Sequence, residues 1–225
     1  MSSPPKITIR PPLTTSPPAP QPPAETYSPP PLPWLLETWN VTHSTLPMWK
    51  SKRNVQIQYT SLAPSDPSVT AEGGESDRLD DLVTYQGLDS SKVSSVRGVD
   101  KAANAQRRDV WDWRGRGWLV VAGSRWEVIG WGEEEEEGGG GGDHAPTGSS
   151  PPGGGGTNKN KWVVTLFAKT LFTPQGVDIY SLSPQGVKAE TLQGIKKALA
   201  GCEDGSVKKL AGELFEVAVD GERAG

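Results

Sequence analysis

Five of the nine tryptophans in this chain of 225 residues lie in one short segment, residues 111–132. The segment reads WDWRGRGWLVVAGSRWEVIGWG and predicts two β-strands, Trp111–Val121 and Trp126–Trp131. Gly115 and Gly117 lie inside the first strand, where glycine typically marks a bend or a bulge. A sheet that bends while it carries bulky aromatic side chains favours a small closed barrel, because closure removes exposed strand edges.

Alternating apolar and polar residues predict further strands on both sides of this segment. The pattern is clearest over residues 53–62, where Val55, Ile57 and Tyr59 alternate with polar residues. The other predicted strands are residues 38–43, 79–86, 92–100, 162–172 and 177–182. Helical spacing follows in Leu192, Ile195 and Leu199, and again from Val207 to Val217. This order predicts an all-β fold, an eight-stranded antiparallel up-and-down β-barrel with one or two C-terminal helices packed outside.

Two segments lack apolar periodicity and have strongly biased composition. Residues 1–32 are rich in proline, so we expect a disordered tail, either a solubilising tail or a ligand for SH3 or WW domains. Residues 133–161 contain a run of five glutamates and two glycine runs, and are predicted to be a disordered insertion between two strands. One folded domain, residues 33–220, remains.

The charge and cysteine content exclude several classes of protein. The net charge of −4 comes from the glutamate run, which contributes −5, so the rest of the chain is near +1 and no nucleic-acid partner is indicated. The single cysteine, Cys202, rules out an intramolecular disulfide framework. No apolar run reaches the ~20 residues of a transmembrane helix. The N-terminus lacks the apolar core of a secretory signal, so we expect a soluble cytoplasmic protein.

The sequence offers little material for catalysis. It has two histidines, His43 at the end of the first predicted strand and His144 in the glycine-rich insertion. Neither has neighbours at a spacing typical of a catalytic or metal site. The glycine runs lack the strand, loop and helix context of a phosphate-binding loop. We predict a protein that is not an enzyme and has no metal or cofactor; catalysis or haem ligation through His43 is the alternative.

Taken together, the pattern resembles the calycin superfamily, and within it the lipocalin-like proteins of the lipocalin and cytosolic fatty-acid-binding type. In these families a Gly-x-Trp motif on the first strand supplies the tryptophan that closes the barrel floor. Here Glu37-Thr38-Trp39 holds that place, with Glu37 instead of glycine. The arginine that usually ends the last strand and stacks on the tryptophan is replaced by Leu182. The resemblance covers residues 35–201, and a nitrobindin-type barrel is a close relative.

The resemblance implies a barrel that binds or transports a small hydrophobic ligand, such as a lipid, a fatty acid or a pigment. The candidate lining residues are Tyr59, Tyr85, Trp118, Trp126, Val128 and Phe167. The alternative is that these side chains simply fill the barrel. The other class of function is an interaction or scaffold protein that acts through the proline-rich tail and the acidic insertion.

The loop after the first predicted strand, residues 44–53, lies across the open end of the barrel in lipocalin-like folds. It combines apolar residues, Leu46, Met48 and Trp49, with three cations, Lys50, Lys52 and Arg53. We predict that the apolar residues line the cavity mouth and that the cations bind an acidic head of the ligand. An ordinary solvated loop is the alternative.

Overall fold

Eight antiparallel strands close into a barrel because each pairs with its neighbour in sequence and the first also pairs with the eighth. The computed structural model describes residues 7–13, 27–66, 76–104, 107–135, 159–171 and 173–221. The barrel strands are β1 (Thr38–Ser44), β2 (Lys52–Ser61), β3 (Arg78–Gly87), β4 (Val93–Asn104), β5 (Arg107–Gly115), β6 (Gly123–Glu135), β7 (Lys159–Phe167) and β8 (Gly176–Ser181). The predicted fold class is confirmed.

Short elements complete the barrel. They are the helices α1 (Leu32–Leu35), α2 (Ala189–Ala200) and α3 (Gly205–Leu210), two 3₁₀ turns (Pro47–Ser51 and Gly117–Leu119), and a short strand β9 (Phe215–Glu216) that pairs with β1 outside the barrel. The predicted second helix ends earlier than expected, because the chain beyond Leu210 turns and continues into β9. Its start is capped by Asp204, whose carboxylate accepts from the backbone N–H groups of Ser206 and Val207.

Alternation along the strands separates two hydrophobic clusters. One lies inside the barrel and includes Trp39, Tyr59, Trp111 and Trp126. The other lies between the outer face of β6–β8 and the apolar faces of α2 and α3. On β8, for example, Val177 and Ile179 belong to the outer cluster while Tyr180 belongs to the inner one. The helices therefore cover one wall of the barrel from outside and leave its interior to the strands.

The tryptophan-rich strand is shorter than predicted. It ends at Gly115 rather than Val121, and the chain continues through a 3₁₀ turn that leaves Val121 87% exposed. The close approach of the chain at Gly115 explains this end: a Cβ there would lie 2.4 Å from the carbonyl oxygen of Leu119. The turn itself passes through Gly117 at φ +62°, a conformation that glycine adopts readily.

Part of the predicted disordered tail packs on the barrel. The Arg10 backbone N–H donates to the Ile129 carbonyl at 2.8 Å, and the buried Arg10 guanidinium pairs with Glu127 at 2.5 Å and Asp109 at 3.2 Å. Ile7 and Ile9 pack against the outer cluster. The apolar contacts of Ile7 and Ile9 and the ion pairs of Arg10 therefore hold this proline-rich segment on the barrel. Residues 1–6 and 14–26 of the predicted tail lie outside the described residues.

The predicted insertion also contributes to the sheet at both ends. Glu133, Glu134 and Glu135 pair with Lys161, Asn160 and Lys159 in the register of β6 and β7. Opposite charges therefore face each other across the two strands, and Lys159 also pairs diagonally with Glu133 at 3.4 Å. The remainder of the insertion, residues 136–158, lies outside the described residues.

Candidate ligand cavity

One end of the barrel is sealed by tryptophan. The Trp39 side chain is fully buried, and its indole N–H donates to the Leu35 carbonyl of α1 at 3.0 Å. Trp34 packs 5.4 Å from Trp39 and 4.8 Å from Trp131, centroid to centroid. β1 and α1 therefore pack together and close this end of the barrel.

A lysine of β7 lies at the closed end of the barrel, where the resemblance implies an arginine from the last strand. Leu182 stands where the resemblance places an arginine, and it packs against the inner cluster as a half-buried apolar residue. Lys161 of β7 instead places its Nζ 5.2 Å from the centroid of the Trp34 ring and 2.7 Å from Glu37 Oε1. Glu37, at the glycine position of the motif, therefore holds a lysine over the tryptophans.

The other half of the barrel encloses a cavity of about 270 Å³ that opens between the loops. Aromatic and aliphatic side chains form most of its wall: Leu46, Met48, Trp49, Ile57, Tyr59, Val83, Tyr85, Val96, Trp113, Trp126, Phe167 and Tyr180. Lys52, Asp81, Ser124, Thr173 and Asp178 supply the polar atoms. A mainly apolar wall with few polar groups is typical of a small-molecule site.

Eight of the residues predicted to line the cavity or its mouth do line it. They are Tyr59, Tyr85, Trp126, Phe167, Leu46, Met48, Trp49 and Lys52. The rings are ordered in pairs: Tyr59 stacks on Trp126 at 5.4 Å with 16° between planes, and Trp49 lies 6.2 Å from Tyr85. The loop residues and the strand residues that the sequence analysis treated separately thus share one wall.

The structure places the other predicted site residues elsewhere. Val128 is buried in the inner cluster but is not part of the cavity wall, and the Trp118 side chain lies outside the described residues. Lys50 Nζ lies 5.2 Å above the Phe215 ring. Arg53 forms an ion pair with Asp220 and donates to the Gly87 carbonyl. Of the three predicted cations, only Lys52 borders the cavity.

Two buried carboxyl groups in the wall were missed. Asp178 of β8 accepts from the Ser44 hydroxyl at 2.5 Å and from the Trp49 indole N–H at 3.1 Å, so each of its oxygens has a donor. Burial raises the pKa of Asp178 to about 7, while the two hydrogen bonds act in the opposite direction. This acid ties the first strand, the loop after it and the last strand together at the mouth.

Asp81 of β3 is different because one of its oxygens, Oδ1, has no hydrogen-bond partner within the described chain. Burial, followed by the negative charges of Asp100 and Asp80, raises its pKa well above the usual range, and a hydrogen bond from Trp113 opposes the rise. The Trp113 indole fits beside Asp81 because residue 98 is glycine: a Cβ there would meet the indole nitrogen at 2.2 Å.

Asp100 lies behind this pair, one step along β4 on the same inward face. Its Oδ1 accepts from the Trp126 indole N–H at 2.8 Å, and its Oδ2 has no partner in the described residues. Burial raises the pKa of Asp100 to about 7. Alternation along β3 is the signal that indicates a buried acid, since Leu79, Asp81, Val83 and Tyr85 occupy every second position of this strand. The predicted lining of the barrel contained aromatic and aliphatic side chains alone.

The loops at the open end, which form the rim of the barrel, carry exposed apolar side chains. Six exposed large apolar side chains lie on or beside the loops at the open end: Met48, Leu88, Val93, Val120, Val121 and Leu171. Leu171 is 89% exposed. Of these six described residues, Met48 also borders the cavity, while the others are scattered apolar side chains that need no further explanation.

His43 lies outside this cavity. It borders a separate surface hollow with Thr42, Gln185 and Glu216, and burial together with Lys196 lowers its pKa. Within the described ranges, no cluster of His, Cys, Asp and Glu is arranged to hold a metal ion. His144 lies outside the described residues. None of the helices described is long and apolar enough to span a membrane.

The chain is a closed eight-stranded antiparallel up-and-down β-barrel, followed by a helix packed on its outer wall. No model of a protein family matches the sequence, and no curated protein matches it. Among solved structures the chain is similar to apocrustacyanin C2, with a TM-score of 0.44, 10% identity and coverage of 82% of this chain and 77% of that chain. It is also similar to the siderocalin Ex-FABP, with a TM-score of 0.44, 9% identity and coverage of 84% and 93%. Both likenesses are too distant to bear on function.

Proposed function

We propose that this protein binds a small, mainly apolar molecule inside the barrel and carries out no reaction on it. The observation that carries the proposal is the cavity of about 270 Å³ in the open half, with its stacked aromatic wall. Small-molecule pockets span about 300–1,000 Å³. A cavity of about 270 Å³, just below that range, favours a compact ligand over a bulky one.

The polar groups in the wall suit binding better than catalysis. Both oxygens of Asp178 are held by Ser44 and Trp49, so this acid acts as a brace. His43, the predicted candidate for catalysis or haem ligation, is not part of the cavity wall. Asp178 is fully engaged and His43 lies outside the cavity wall, so neither is placed to act as a general acid or base on a molecule in the cavity.

The predicted acidic head of the ligand has weak support. Lys52 alone of the three cations borders the cavity, and its Nζ lies 5.1 Å above the Tyr85 ring. Two carboxyl groups, Asp81 and Asp178, share the wall with it. A carboxylate entering the cavity would therefore meet one cation and two buried carboxyl groups, whose ionised forms repel it.

The scaffold alternative, a cytoplasmic location and an SH3 or WW partner stay predictions. The proline pairs Pro17-Pro18 and Pro22-Pro23 that such a partner would bind lie outside the described residues.

Filling the cavity tests the proposal. Val83 borders the cavity, whereas Leu82 beside it points to the other face of β3 and is not part of the wall. We expect Val83→Trp to abolish binding of n-propylbenzene, measured by calorimetry, while Leu82→Trp, the matched control, binds it as wild type does. Circular dichroism melts confirm that both variants are folded. A folded Val83→Trp variant with unchanged affinity would show that the ligand binds elsewhere.

A further inference from the structure

We propose that the cavity selects ligands that carry a basic amino group, which Asp81 receives inside an aromatic enclosure. The inference rests on the proposed function and adds the chemical class of the ligand to it. It replaces the acidic head that the loop cations suggested.

The first support is the unmatched oxygen of Asp81. The residue is 6% exposed and belongs to the cavity wall, yet its Oδ1 has no donor among the described residues. Leaving a buried acceptor without a partner is unfavourable, so a ligand that donates a hydrogen bond there gains more than it would from a satisfied group. An ammonium group has three donors and the complementary charge.

The second support is the contrast with the neighbouring acids. Asp178 borders the same cavity, but Ser44 and Trp49 already donate to its oxygens. Asp80, next to Asp81 on the outer face of β3, is paired with Arg97 at 2.6 Å and Arg116 at 3.1 Å. Among the acids of this wall, Asp81 is therefore the one whose free oxygen a ligand could use.

The third support is the ring arrangement. The stacked pair of Tyr59 and Trp126 and the pair of Trp49 and Tyr85 belong to the same cavity wall as Asp81. Ring faces attract cations and repel anions. One of these rings already binds a cation of the protein, because Lys52 Nζ lies 5.1 Å from the Tyr85 centroid.

Charge balance makes the binding depend on pH. Burial and the neighbouring charges favour the protonated form of Asp81, so an incoming ammonium displaces a proton from the carboxyl group. The affinity for an amine that stays charged should therefore rise as the pH rises, with release of about one proton per ligand at low pH. The titratable or charged groups that surround Asp81 are Asp80, Asp100, Asp178, Tyr59, Tyr180 and Lys52.

Four probes of similar size separate charge from hydrophobicity: 2-phenylethylamine, 2-phenylethanol, n-propylbenzene and 3-phenylpropionate. In calorimetric titrations at pH 7.5 (roughly the physiological range), we expect wild type to bind the amine about tenfold more tightly than the alcohol. The propionate should bind most weakly. Asp81→Asn should remove the preference for the amine and leave n-propylbenzene binding unchanged. Asp89→Asn, which removes the same charge from the exposed β3–β4 turn, should keep the preference.

Titrations in two buffers of different ionisation heat count the protons released by wild type, and need no variant. Proton release on binding the amine but not the alcohol supports the inference. Equal affinity for amine and alcohol, tightest binding of the propionate, or a folded Asp81→Asn variant that still prefers the amine would overturn it. In each of those cases n-propylbenzene binding would leave the proposed function standing. Failure of all four probes to bind would contradict the proposed function itself.

Discussion

The two ends of the barrel use the same aromatic residues for opposite purposes. At the closed end Trp34 of α1 packs on Trp39 and on Trp131, and the Leu35 carbonyl of α1 accepts from the Trp39 indole N–H. At the open end Trp49 and Trp126 stand in the wall of a cavity and donate their indole N–H groups to buried aspartates. Rings also stack at the open end, as Tyr59 does on Trp126, so ring stacking does not distinguish the two ends. The partner of the indole N–H does: it is a backbone carbonyl for Trp39 and a buried aspartate for Trp49 and Trp126.

The closed end should carry the larger share of the stability. We expect Trp39→Ala to lower the free energy of unfolding by roughly 3–5 kcal/mol, because it empties a large, fully buried aromatic site. Denaturant midpoints measure the change. A loss under about 1 kcal/mol, the level of ordinary surface substitutions, would show that this closure is not essential.

Arg10 tests whether the packed N-terminal segment belongs to the fold. Arg10→Met should cost about 3 kcal/mol, because it leaves the buried carboxylates of Glu127 and Asp109 without the cation that lies between them. The same denaturant titration applies, and Lys6→Met, a charge removal outside the described residues, serves as the control. Equal stability of the two variants would remove residues 7–13 from the folded unit.

The buried acids near the open end should make the stability of the protein depend on pH. The pKa values of Asp178 and Asp100 are raised to about 7 by burial, so the folded protein holds protons that the unfolded chain has already lost above its ordinary carboxyl pKa. Stability should therefore fall as the pH rises from about 5 to about 8, by at least about 1 kcal/mol. Melts across this range measure the slope, which Asp100→Asn should reduce. A stability that rises steadily over the range would show that these acids ionise freely.

The rim should contribute least. Leu171→Ser and Val121→Ser replace exposed side chains, so each should change the free energy of unfolding by less than about 0.5 kcal/mol. Thermal melts check this. A loss comparable with that of Trp39→Ala would show that the rim packs against another part of the chain.

The residues explain why some features could be predicted and others could not. Period-two alternation is a local property, so Val55, Ile57 and Tyr59 predict a half-buried strand. β2 confirms this prediction. The burial of Trp39 at the closed end could be predicted because Trp39 holds the tryptophan position of the Gly-x-Trp motif. The cations of the loop could not be sorted in the same way, because Lys50 and Arg53 are engaged by Phe215 and Asp220, residues far along the chain.

The buried acids show the limit most clearly. The sequence LDDLVTY places Asp81 on an apolar face by simple alternation, yet an acid in such a position is usually taken as an interruption of the pattern. What makes it tolerable is the indole of Trp113 that fits over Gly98, a contact between three strands. The proline-rich composition predicted a disordered N-terminal tail, but Arg10 of that tail forms ion pairs with two buried carboxylates of the barrel.

Nuclear magnetic resonance of the indole N–H groups tests the central claim, because tryptophans mark both ends of the barrel. Titration with n-propylbenzene should shift the signals of Trp49, Trp113 and Trp126 in the cavity wall. The signals of Trp34 and Trp131 at the closed end should stay in place. Shifts confined to the closed-end signals, or no shift of the cavity signals at saturating probe, would contradict a binding cavity in the open half of the barrel.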